Sequence, residues 1–207
     1  MTAQIPGPAM TDAAMETLAI GMSAWIIQDG NYGDFRTGQR ASFALEFGMR
    51  EPLVVVDATQ PSMRSVGDSD YEAIGKVVYA DDEWWVLDIG ILIFREMRPQ
   101  PNAVVGAWLA GKINIGLDPF FYFFRLAHLE NAPALIYDWT IEAIEIETAP
   151  LIETSPRRFV RDPSRMALRT ITETNVWDDD DGHGWYILHC RRVDGAPRRT
   201  LAKDGEL

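Results

Sequence analysis

The residues best suited to chemistry are carboxylates, and their densest run is Asp178-Asp179-Asp180-Asp181, followed by Gly182, His183 and Gly184. Hard cations such as calcium take several oxygen ligands, which makes Asp178, Asp180 and Asp181 a weak candidate set for one. A calcium loop spaces its acids at alternate positions, sets Gly at the sixth and closes with Glu at the twelfth. With Gly182 at the sixth position, Trp177 falls at the first and Leu188 at the twelfth. The pattern fails, and adjacent like charges suit a solvated turn. No bound metal is expected.

His183, His189 and Cys190 form the next group. His189 and Cys190 are neighbours, so on a strand they point to opposite faces and make no local Cys–His pair. Cys190 shares its face with Tyr186 and Leu188 and reads as core, where a thiol is inert. Zinc needs more ligands at a recognised spacing, and the remaining histidine, His128, is distant. Nucleophile elbows, phosphate loops and dinucleotide fingerprints are missing. Gly111-Lys112 has no Gly-rich loop before it and no Ser or Thr after it. No cofactor is expected.

A third set of acids lies at or near turns: Asp29, Asp34, Asp88, Asp118 and Asp138. Tyr32 sits between the first two, with Gly30, Asn31 and Gly33 around it. Asp, Asn and Gly are turn formers because they tolerate left-handed backbone. The same residues would gather at a barrel mouth and line a small acidic pocket. Two or three of these acids close together, with one raised pKa, would mark an enzyme.

The block Phe120-Phe121-Tyr122-Phe123-Phe124 is apolar at every position. As a strand it would place rings on both faces, and the second face needs a cover. Trp84-Trp85 poses the same problem. Phe121, Phe123 and Trp84 are therefore candidates for an interface. Aromatic platforms also stack nucleic-acid bases, but the charge balance opposes that use.

These residues must be positioned by strands. Trp25 to Ile27 reads as a strand ended by Asp29-Gly30-Asn31, and Arg40 to Phe47 alternates with Ala41, Phe43, Leu45 and Phe47 on one face. Leu53 to Val56 reads as a strand buried on both faces, and Thr59 to Asp70 as a loop. Ile74 to Tyr79 and Trp84 to Phe94 flank a polar turn, the clearest hairpin, with Gly90 marking a bulge or sharp bend. Val104 to Leu117 and Leu135 to Ile146 supply further strands. The pattern predicts a mainly β fold: one or two small antiparallel barrels, OB-like in build, or a sandwich, with at most one or two short helices. Residues 1–21 read as a lead-in with a short helix from Thr11 to about Leu18, and 22–148 as the barrel core. Residues 149–165 read as a loop or linker, 166–193 as a terminal hairpin and 194–207 as a tail.

The chain has 31 acidic and 19 basic residues, a net charge of -12. Such a field repels polyanions, so no nucleic-acid partner is expected. Arg157, Arg158, Arg161 and Arg165, then Arg191, Arg192, Arg198 and Arg199, are the local exceptions. Arg pairs bidentately with carboxylates, so many of them are expected to pair internally. A single cysteine makes no internal disulfide and favours a reducing compartment. The first ten residues lack the basic and apolar runs of a secretory leader. No stretch is long and apolar enough for a spanning helix. The expectation is a cytoplasmic, non-enzymatic β-barrel that binds or assembles, as a homo-oligomer or with a protein partner and away from membranes. Its rival is an enzyme or small-ligand binder with the acidic pocket.

Overall fold

The computed structural model describes residues 17–201 of the 207-residue chain. Strand makes up 47% and helix 9%, so the fold is mainly β, as the alternation predicts. In chain order the elements are β1 (Leu18–Ser23), α1 (Trp25–Gln28), β2 (Arg40–Phe43), β3 (Leu45–Gly48), β4 (Val54–Val55), β5 (Ser62–Gly67), β6 (Asp70–Ala80), β7 (Trp85–Asp88) and β8 (Leu92–Arg95). They continue with β9 (Trp108–Leu117), α2 (Phe121–Phe124), β10 (Tyr137–Glu147), β11 (Leu151–Ser155), β12 (Arg158–Arg161), β13 (Leu168–Ile171) and β14 (Trp185–Arg192). Among the described residues no helix is long and apolar enough to cross a membrane.

Following the pairings from β9 through β6, β7, β8 and β3 leads back to β9, which closes a five-stranded barrel. The expected hairpin is its β6–β7 corner, with Val77 opposite Leu87 and Ala80 opposite Trp85. Gly90 turns β7 into β8 at φ +99°, a conformation that favours a residue without Cβ. Other pairings leave β9 through β1, β14 and β10 and return through β2, which runs on into β3 at Ala44. β9 thus serves two rings. Its residues Trp108 to Asn114 pair with β6, and Gly116 pairs with Gly21 of β1.

One core fills both rings, because β9 and the β2–β3 run turn the same face inward along their whole length. Ile113, Ile115, Leu45 and Phe47 pack there with Ile20, Trp85, Trp139 and Tyr186. A second core covers the outer face of β7 and β8, where Trp84, Val86 and Phe94 meet Tyr122, Leu126 and Leu135. Strands buried on both faces read as continuous apolar runs, which explains Trp84-Trp85-Val86-Leu87.

Several local expectations are corrected. Trp25 to Ile27 is helical, so that Ile26 and Ile27 both reach the core while Trp25 stays outside. Val54 and Val55 are 60% and 61% exposed, because among the described residues β4 pairs only with β9. The polar loop around residues 62–67 is β5, an edge strand on β6 whose free side needs no apolar residues. The aromatic block is a helical turn, since Asp118 accepts the Phe121 N–H at 2.9 Å and starts α2. Within 149–165, β11 and β12 pair with each other alone. β13 and β14 form no hairpin: both pair with β10, which lies between them. The tail is ordered through at least Arg198, whose backbone bridges Ile136. Leu18 belongs to β1, and the rest of the expected N-terminal helix lies outside the described residues.

Candidate functional site

The acids expected to share a pocket do not gather as one set: Asp29 and Asp118 lie at one corner, and Asp138 lies within strand β10. Asp29 accepts from Asn31 at 3.3 Å, and Asn31 also reaches the Pro119 carbonyl at 3.4 Å. Tyr32 donates to the Asp118 carbonyl at 2.9 Å, so Asp29, Tyr32 and Asp118 share one corner. Asp34 lies with Thr174, which donates to it at 2.8 Å. Asp88 accepts from the Gly90 N–H, and Asp138 is gripped by Ser42 and Arg198. A carboxylate beside free N–H groups is absorbed by the backbone, which is why acids at turns made an unreliable guide.

Asp118 is the exception in its electrostatics. It is 2% exposed. Burial raises its pKa to about 7; the Tyr122 and Phe121 N–H groups oppose the shift, and Glu46 and Glu96 add to it. Burial and then Asp118 push the Tyr32 phenol up as well.

The acidic run is structural. Asp178 accepts from the Asn175 amide at 2.9 Å, and Asp179 accepts from the Tyr186 hydroxyl at 2.9 Å and from the Asn175 backbone. Asp180 pairs with Arg161. Among the described residues no three His, Cys, Asp or Glu side chains are grouped to hold a metal ion. Cys190 is buried, and burial pushes its thiol up. His189 contacts Glu145 at 2.7 Å on the opposite face.

Two further surface features bear on function. The first is a cleft of about 240 Å³ where the two rings meet. It crosses the neighbouring strands β14, β1, β9, β3 and β8, and Gly116 pairs with Gly21 on one side and Glu46 on the other. Glycines floor it. A Cβ on Gly21 would lie 2.8 Å from the Trp185 ring. One on Gly48 would run into the Asn114 amide. Trp25 and Trp185 flank the floor, and Glu46, Arg95 and Asn114 line it. The Glu46 pKa is raised by burial and by Glu96, while Arg95 acts against the rise. Arg95 donates to the Phe47 carbonyl at 3.2 Å and carries a buried Nε without a partner.

The second is the apolar end of the first barrel. Val54, Val55, Val104 and Val105 are 60–63% exposed, and Met97 is 55% exposed. Their segments are tied together: Gln100 bonds both Leu53 backbone groups, Val56 donates to the Trp108 carbonyl, and Gly106 donates to the Val77 carbonyl. A cleft of about 500 Å³ opens beside Val104 and Val105, between Pro99 and Asp81. Of the residues expected at an interface, Phe121 is exposed and Phe123 is half-buried. Trp84 is fully buried, because α2 supplies the cover that its face needed.

Comparison with family models, with curated proteins and with solved structures returns no match. Neither surface feature was found from sequence. Glu46 lies on the polar face that alternation defines, but no spacing rule brings five distant strands side by side.

Proposed function

We propose that the chain is a non-catalytic β-barrel module that assembles with a second copy of itself through the apolar end of the first barrel. The observation that carries this reading is the gathering of four strongly exposed valines and Met97 on three linked segments. Isolated apolar residues on a surface are ordinary, but several on hydrogen-bonded neighbouring segments favour a cover. Among the described residues the turn acids are engaged by backbone, hydroxyl and arginine partners, which supports a non-catalytic role. The one cysteine, buried and unpaired, fits a cytoplasmic home.

A net charge of -12 repels a second copy. Apolar contact must outweigh that repulsion. Assembly therefore strengthens as salt screens the charges, whereas an ion-paired interface would weaken. Light scattering on the purified chain at tens of micromolar tests this. A dimer or larger species is expected, and Val55→Asp with Val105→Asp gives a folded monomer. A wild-type monomer at every salt concentration overturns the reading.

A further inference from the structure

The cleft at the junction of the rings has a chemistry of its own, independent of assembly. Its volume of about 240 Å³ is below the roughly 300 Å³ at which drug-sized pockets begin, so it suits a ligand of one ring. Its open floor is the backbone at Gly116, where a Cβ would meet only the Gly21 carbonyl at 3.6 Å, whereas Trp185 covers Gly21 and Asn114 covers Gly48. A ligand can therefore lie close against the sheet. Trp25 is 47% exposed beside it, and the Trp185 ring lies over Gly21. Indole faces offer large apolar area at little entropic cost.

The polar lining is balanced. Glu46 carries an acceptor, Arg95 carries donors, and Asn114 carries both. An anion would gain from Arg95 but meet Glu46, with Glu96 close behind. A cation would gain from Glu46 but meet Arg95. A hydroxyl both donates and accepts, so adjacent hydroxyls on one ring satisfy the carboxylate and the guanidinium together. The C–H face of such a ring is apolar and matches an indole. We propose that this cleft binds a neutral, polyhydroxylated six-membered ring of the pyranose class, seated over Gly116 with Trp25 and Trp185 beside it and hydrogen-bonded by Glu46, Arg95 and Asn114.

The test uses the full chain and three neutral probes: methyl glucoside, methyl galactoside and methyl mannoside. Binding is followed by the NMR shifts of the Trp25 and Trp185 indole N–H signals and by calorimetry. At least one probe should bind saturably, with a dissociation constant on the order of 1 mM. Trp25→Ala and Glu46→Gln should each weaken it roughly tenfold, a loss of one well-made contact. Both variants should keep the wild-type unfolding midpoint to within a few degrees, since Trp25 is largely exposed and Glu46→Gln keeps its shape. Asn114→Ala, at an exposed site, provides a third variant. Glucuronate and glucosamine carry the opposite charges and should bind more weakly than their neutral parent. Three results would each overturn the proposal: no saturable shift at about 50 mM of any neutral probe, tighter binding of either charged sugar, or binding that survives both Trp25→Ala and Glu46→Gln.

Discussion

Arg198 grips Asp138 with two hydrogen bonds, of 2.5 and 2.6 Å, and so fastens the C-terminal segment to β10. The same guanidinium donates to Ser42 at 3.0 Å, tying in β2. The neighbouring Arg199 donates to the Ala127 carbonyl at 2.6 Å, which fixes the cover of the second core. Arg198 and Arg199, in the segment that the sequence reads as a tail, are clasps.

Arg198→Ala should therefore destabilise the fold by roughly 1–3 kcal/mol, because it leaves a half-buried carboxylate with one partner fewer. Its bond to Arg198 holds the Asp138 carboxyl below its ordinary value of 3.8. A depressed folded pKa contributes stability above the unfolded value and loses it as the pH falls through the folded one. Urea unfolding at neutral and at strongly acidic pH measures this. The gap between wild type and variant should be wide at neutral pH and shrink in acid, and a gap independent of pH would refute the account.

Asp118 should show the opposite pH dependence. Its folded pKa of about 7 lies above the ordinary 3.8, so the folded state holds the proton longer than the unfolded chain does. Stability from this group is complete below about pH 4 and is lost as the pH rises to about 7, by a few kcal/mol in order of magnitude. Asp118→Asn keeps an oxygen for the Phe121 and Tyr122 N–H groups and removes the titration. The variant should unfold at higher temperature than wild type at pH 8 and match it near pH 4. An unchanged midpoint at pH 8 would show that the buried carboxyl carries no such cost.

Trp84 tests the second core. Trp84→Ala should cost about 3–5 kcal/mol, the range for emptying a packed aromatic site. The Trp84 Nε1 is buried near Asp81 and Tyr79 without a well-formed hydrogen bond, so Trp84→Phe removes a poorly satisfied donor along with some packing. It should cost less than about 2 kcal/mol. Chemical unfolding of both variants checks the ordering, and a Phe variant as unstable as the Ala variant would contradict it.

Gly90→Ala probes the turn that closes the first barrel. At φ +99° a Cβ is strained, and a loss of about 1–2 kcal/mol is expected. No atom lies within 4 Å of the Cβ position, so the loss would be conformational and not steric. A variant as stable as wild type would show that the turn relaxes freely.

Local pattern alone decided that this chain is a β protein. Alternation at Arg40 to Phe47, the Asp-rich corner before Trp84, and the Gly at 90 are properties of neighbours a few residues apart, and the barrel contains all three. Alternation also placed Cys190 with Tyr186 and Leu188 in the core. Sequence could not decide what covers what. A run such as Phe120 to Phe124 fits a two-faced strand or a helical turn equally well, and a buried Asp118 cap selected the turn. β13 and β14 looked like partners because they are consecutive, yet β10 paired with both. The junction cleft is the extreme case: Trp25, Glu46, Arg95, Asn114 and Trp185 meet only because five strands close side by side. Chain neighbours constrain backbone conformation, but contact between remote residues depends on which strands hydrogen-bond, and that choice is made by the whole core at once.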